Sequence, residues 1–173
     1  MTSYHSPVRN PRDLKLHGPR LKITIGPPLL TLEGRKRAAS VSEAVRYTET
    51  DALIDTGAQR TVVSPEAVRR AGLSKINEAE IRGVGGIVKA DVYVASLQFP
   101  KCGLRTIEVI EVSCCGLSHI LYHCLLGRDV LSRWILTYDG PAGVWRISEG
   151  TVGSWVEPPE GSDPDRDPGL WGK

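Results

Sequence analysis

Residues 87–99 read IVKADVYVASLQF, and the pattern alternates. Val88, Ala90, Val92 and Val94 take one parity, and Lys89, Asp91 and Tyr93 take the other. A period of two places the two sets on opposite faces of a strand and does not suit a helix. Shorter segments continue the theme: LKITI (21–25), LLTLEG (29–34), AVRYTETDALID (44–55), RTIEVIEV (105–112), ILTYD (135–139) and GVWRIS (143–148). Turn residues punctuate them at Gly26-Pro27, Pro100-Lys101 and Asp139-Gly140-Pro141. Many short strands at this spacing predict an all-β domain, a small closed barrel or a sandwich.

Helix signals are confined to two places. SPEAVRRAG (64–72) has Ser64 to cap, Pro65 at the first helical position, Glu66 in the first turn and Gly72 just past the end. RDVLSRW (128–134) predicts one or two turns beginning after Gly127.

The chain has 173 residues, 40% hydrophobic and 24% charged, which is enough for one domain to bury a core without disulfides. Its net charge of +2 gives no case for nucleic acid or an anionic membrane as a partner. No apolar run nears the roughly 18 residues of a bilayer span, and the basic N-terminus has no apolar segment after it. Cys102, Cys114, Cys115 and Cys124 crowd the second half, unlike a secreted disulfide framework. A cytoplasmic location is the expectation.

One stretch carries chemistry. In ALIDTGAQRTVV (52–63) an apolar run stops at Asp55, passes through Thr56, Gly57 and Ala58, and turns apolar again. Asp and Gly are ordinary turn residues, and so short a tripeptide turns up by chance in roughly a few chains per hundred of this length. A carboxylate at the end of a buried strand is nonetheless costly unless hydrogen-bonded or functional. Two such carboxylates facing each other share one proton. The ionised member can then deprotonate a water while the protonated one polarises a carbonyl.

LIDTGA resembles the active-site loop of the retropepsins, the single-domain aspartic proteases of retroviral type. RGVGGIVKADVY (82–93) resembles that family's flap, a Gly-rich hairpin tip followed by an alternating strand. CLLGRDVL (124–131) resembles its second apolar-apolar-Gly stretch and C-terminal helix, and WILTYDGPAGVWRIS supplies the last strands. The resemblance spans about 20–148. It implies a small closed acid-protease barrel with a short C-terminal helix, forming one half of a twofold dimer. It also implies an aspartic endopeptidase. The chain holds no second Asp-Thr-Gly or Asp-Ser-Gly, so the partner acid would be Asp55 of a second copy. Thr56 would brace Thr56 of that copy, and the chain ends would interleave. Asp55, Thr56 and Gly57 are the implied catalytic set. Ala58, Val62, Val84, Gly85, Gly86 and Ile87 are the implied contacts to an extended peptide or protein substrate, with no metal or cofactor. A catalytically silent dimerisation or peptide-binding domain is the alternative.

Under this reading residues 1–19 are a basic mobile arm, 20–149 the protease domain and 150–173 a disordered tail rich in Pro, Gly and Asp. Ala58 carries no hydroxyl to donate to the carboxylates, which favours a mildly acidic optimum; a pH–rate profile peaking below about pH 3 would contradict this. Viral members place acids after the motif, one of them pairing with the Arg of the Gly-Arg stretch. Here Gln59 and Arg60 stand instead, so Arg128 lacks that partner; either a rearranged Arg60–Asp129 pair forms, or Arg128 and Asp129 are simply a solvated first turn. Cys114, Cys115, His119, His123 and Cys124 have zinc-ligand chemistry but no Cys-x-x-Cys pairing, and are read as the loop and strand entering Leu125. Gly83 to Gly86 lack the Gly-Lys-Ser/Thr of a phosphate loop.

Overall fold

The computed structural model describes residues 3–6, 9–28, 46–83, 86–117 and 122–150. The expected strand at 29–34, the start of the 44–55 segment, Val84, Gly85, His119 and the tail beyond 150 lie outside the described residues. In chain order the elements are β1 (Ser3–His5), α1 (Pro11–His17), β2 (Arg20–Gly26), β3 (Thr48–Ile54), β4 (Val62–Val63) and α2 (Pro65–Ala71). They continue with β5 (Lys75–Gly83), β6 (Gly86–Phe99), β7 (Leu104–Cys114), β8 (Cys124–Leu126), α3 (Arg128–Leu131), β9 (Trp134–Asp139) and β10 (Val144–Glu149).

Alternation builds the barrel. Leu21, Ile23 and Ile25 of β2 and Thr50, Ala52 and Ile54 of β3 are buried on one side, and the two strands pair antiparallel with Ile23 opposite Thr50. β3 then runs parallel to β8, and β8 antiparallel to β4. β4 pairs parallel with β7, and β7 antiparallel with β6. Because β6 also pairs back onto β2, the strands β2-β3-β8-β4-β7-β6 close into a six-stranded barrel, with β5 hung on β6 outside it. Closure removes the open edges that such short strands would otherwise expose. Each Leu, Ile or Val turned inward contributes roughly 1.5–3 kcal/mol relative to leaving it in water.

The helix at 64–72 forms as its signals predict. The Ser64 side chain accepts from the Ala67 amide at 3.2 Å, and Gly72 ends the helix in the left-handed conformation. Ala67, Val68 and Ala71 make the buried stripe. Ser64→Ala removes the cap and is expected to destabilise by about 1 kcal/mol, read as a lowered Tm. An unchanged Tm would mean the cap contributes nothing.

α3 starts after Gly127 and spans one turn, within the one or two expected, and Trp134 beyond it is drawn into the core, edge-on to Phe99 at a centroid distance of 4.9 Å. Two differences from the sequence reading stand out. β5 was not anticipated as a strand; its polar sequence is carried by pairing along β6 through to Gly83 opposite Gly86. The N-terminal residues, expected as an arm, hold β1 and α1, with Leu14 in the core. Asn10 caps α1 by accepting from the Asp13 amide at 3.0 Å, and Pro11 stands at its first position. That is the Ser64-Pro65 signal in another dress. No helix among the described residues is long and apolar enough to cross a membrane.

Candidate active site

The barrel topology decides where Asp55 sits. β3 and β8 lie side by side and parallel, with Ile54 beside Leu126, so the chain leaves both strands at the same level. Asp55 follows one end and Gly127 the other, and the Asp55 amide donates to the Leu126 carbonyl at 3.0 Å. The loop then folds on its own acid. Asp55 Oδ1 accepts from the amides of Gly57 (2.9 Å) and Ala58 (3.2 Å), and the Asp55 carbonyl accepts from the same Ala58 amide at 3.2 Å. Asp55 Oδ2 has no partner among the described residues, nor does the hydroxyl of exposed Thr56. The carboxylate is thus fixed by one oxygen and available through the other.

A second set of bonds holds the loop from α3. The Arg128 amide donates to the Ala58 carbonyl at 2.9 Å and the Asp129 amide to the Gln59 carbonyl at 3.3 Å. The Arg128 guanidinium reaches across to the carbonyls of Thr56 (3.0 Å) and Gly57 (3.4 Å). Missing its acid, this arginine grips the backbone of the Asp-Thr-Gly turn instead.

Asp129 meets the strand leaving the loop. Its carboxylate accepts from the amide and the hydroxyl of Thr61, both at 2.8 Å, and from the Val130 amide at 2.9 Å. Thr61 is 0% exposed, and its hydroxyl oxygen also accepts from the Gly127 amide at 3.2 Å. The rearranged Arg60–Asp129 pair is therefore not formed. Arg60 lies 3.5 Å from Glu111, with both side chains exposed. The reason is energetic: buried donors strand their full desolvation penalty if left unpaired, whereas an exposed arginine has water. A Thr at the head of Thr-Val-Val, with an acid two residues past the Gly of the second apolar-apolar-Gly stretch, is the sequence signal for this clamp; the sequence reading missed it.

Gly127 lets the two turns meet. A Cβ there would stand 2.5 Å from the Arg60 carbonyl carbon and 2.9 Å from the Thr61 amide nitrogen, backbone atoms that cannot swing aside. Gly127→Ala is expected to cost about 1–3 kcal/mol or more and to lower activity with it. Denaturant unfolding checks the first, and wild-type stability would show that the turns can separate freely.

The other predicted site residues are dispersed in one chain. Ala58 is half-buried beside Asp55. Val62 is 8% exposed in β4, paired with Leu125 and Ser113, and so largely closed off. Gly86 and Ile87 open β6 at the turn of the β5–β6 hairpin, with Ile87 57% exposed. Val84 and Gly85 fall outside the described residues. The cysteines are free thiols among the described residues. Burial pushes Cys102 up to about 11 and raises Cys124, Cys114 and Cys115 as well. Among the described residues no three His, Cys, Asp or Glu side chains come together as a metal site.

Residues 44–133 match the family model described as "gag-polyprotein putative aspartyl protease". Solved structures with similarity include the EIAV protease complexed with the inhibitor HBY-793, at 27% identity over 49% of this chain and 76% of that one, TM-score 0.37. The Simian Foamy Virus (mac) protease is 18% identical over 66% of this chain and 92% of that one, TM-score 0.39. A retropepsin-like aspartic protease from Rickettsia conorii is 15% identical over 75% and 91%, TM-score 0.44. No curated protein matches.

Proposed function

The chain belongs to the gag-polyprotein family of retropepsin-like aspartic proteases, and on that premise we propose that it is an aspartic endopeptidase completed by a second copy of itself. The observation that carries the reading is the half-used carboxylate. Gly57 and Ala58 fix Asp55 Oδ1, and Oδ2 is left without a partner among the described residues. The sequence has no second Asp-Thr-Gly to meet it.

In the dimer the two Asp55 carboxyls hold one proton between them. The ionised one takes a proton from a water lying between them as the water oxygen attacks the peptide carbonyl carbon. The protonated one donates to the carbonyl oxygen, giving a tetrahedral diol. Proton transfer to the amide nitrogen then breaks the C–N bond and releases an acid and an amine. Thr56, whose hydroxyl has no partner among the described residues, braces Thr56 of the partner. Gly57 and Ala58 support the substrate backbone from below, and Val84, Gly85, Gly86 and Ile87 close over it as a flap. Val84 and Ile87 offer apolar surface for side chains beside the cleaved bond. Val62 contributes only the small surface its strand leaves open.

Incubation with an unbiased peptide library, with and without a pepstatin-type inhibitor, tests this. Inhibitable cleavage of extended peptides is the expected result. A dimer proven by sedimentation that cleaves nothing at any pH would leave a silent dimerisation or peptide-binding domain.

A further inference from the structure

Three segments bring basic side chains to one shallow cleft on the outer face of the β1-β10-β9 sheet. In β10, Trp145 and Ile147 are buried in the core, so Arg146 between them turns outward and is exposed. Its register partners are His5 of β1 on one side and Thr137 of β9 on the other. Cross-strand partners share a face, so this row sets an arginine beside a histidine and contains no acid. Arg9 is carried over the same face by its neighbours: the Ser6 amide donates to the Trp145 carbonyl at 2.9 Å, and the Asn10 amide to the Gly143 carbonyl at 3.1 Å. Arg9, His5 and Arg146 line a cavity of about 450 Å³ together with Thr137 and Val144. Among the described residues Asp139 is the one acid in its lining, and its Oδ1 already accepts from the Ala142 amide at 2.9 Å.

Each arginine offers five N–H donors in a planar fork that matches a carboxylate. Residues 151–173 follow β10 directly and carry the complementary charge. Glu157, Glu160, Asp163, Asp165 and Asp167 stand against Arg166 and Lys173, a net charge of −3. In Asp163-Pro164-Asp165-Arg166-Asp167-Pro168 the acids alternate, so an extended chain turns all three to one side, roughly 7 Å apart. Pro164 and Pro168 bias the residue before each of them toward extended backbone. The tether is long enough. Arg146 lies four residues before Gly150, roughly 13 Å away, and the chain from Gly150 to Asp163 spans up to roughly 43 Å. A tether of this kind supplies an effective concentration on the order of millimolar, so weak charge contacts suffice to populate a docked state.

We propose that the acidic stretch 157–167 of the same chain folds back over this sheet, its carboxylates bridging Arg9 of the N-terminal segment and Arg146 of β10 across His5. Seated there, it joins β1 to the β9–β10 hairpin by charge in addition to the backbone bonds. It gives a binding role to residues whose composition alone reads as disordered. The inference stands apart from catalysis and does not depend on Asp55.

Trypsin cuts after Arg166, inside the docked stretch, and so reports its state in the whole 173-residue chain. Release of residues 167–173 is followed by intact mass in brief native digests, beside a synthetic peptide of residues 157–173. The expected result is a cut at least about threefold slower in the chain than in the peptide, with high salt erasing the difference. Arg9→Glu/Arg146→Glu loses the protection while far-ultraviolet circular dichroism keeps its wild-type form. Asp163→Asn/Asp165→Asn, compared with its own matched peptide, loses it too. That second variant changes none of the described residues, so the test holds even where the arginine variant unfolds. Cutting as fast in the chain as in the peptide overturns the proposal. So does protection that neither charge variant moves. Protection that rises with protein concentration overturns it as well, because the stretch of a second copy then fills the cleft.

Discussion

Asp55→Asn is expected to leave the fold and the loop standing while lowering peptide hydrolysis by roughly 10³-fold or more. The side-chain oxygen of Asn can still accept from the amides of Gly57 and Ala58, which the native Oδ1 does at 2.9 and 3.2 Å. The turn therefore keeps its internal bonds. On the proposed mechanism, what is lost is the group that takes a proton from water and returns it to the leaving nitrogen. Thermal unfolding and cleavage of the best library peptide, measured on the same preparation, separate the two effects. Activity within tenfold of wild type would remove Asp55 from the chemistry. Lost activity together with a collapsed Tm would mean that the carboxylate is structural.

Asp129→Ala is expected to be the most damaging substitution to stability outside the barrel core, at about 3–5 kcal/mol. It strands two donors at once, the Thr61 amide and the Thr61 hydroxyl, while the Val130 amide keeps the Gly127 carbonyl at 3.1 Å. A buried donor left unpaired costs about 1–3 kcal/mol, and neighbours in one network do not simply add. Thr61 has no exposed surface through which water could take over. Asp129→Asn, which keeps one acceptor oxygen, should fall between. Glu111→Ala, which removes only the exposed partner of Arg60, should cost under about 1 kcal/mol. Urea unfolding of the three variants checks the order. A Glu111 effect as large as that of Asp129 would restore Arg60 as the anchor of this region.

Much of the barrel was legible because its strands are half-buried and alternate, and burial on one face writes itself into the sequence with a period of two. β6, β7, β9 and β10 fall within a residue or two of their expected limits for that reason. β5 was not legible: Lys75 to Gly83 lie outside the closed barrel, mostly exposed, and their strand is imposed by the pairing with β6. α1 was overlooked because the surrounding prolines and basic residues outweighed a single buried Leu14, although Asn10-Pro11 carried the start signal. At the site, Asp55 and the two turns were readable from motif and order. The partners of Arg128 and Asp129 were not. Backbone carbonyls and amides are the same at every position, so a side chain that bonds to them leaves no complementary residue to find. The unpaired Arg60 and Asp129 invited each other on paper, and the buried Thr61 had the stronger need.

The Asp55 loop is bonded throughout to its own chain, through Leu126, Arg128 and its own amides. On the proposed dimeric mechanism a lone copy already holds its Asp55 loop shaped, and dilution becomes a reversible off-switch. Below the dissociation constant the rate should fall with the square of protein concentration and recover on reconcentration without a lag. Any peptide that spans both halves would raise the population of active enzyme simply by occupying it.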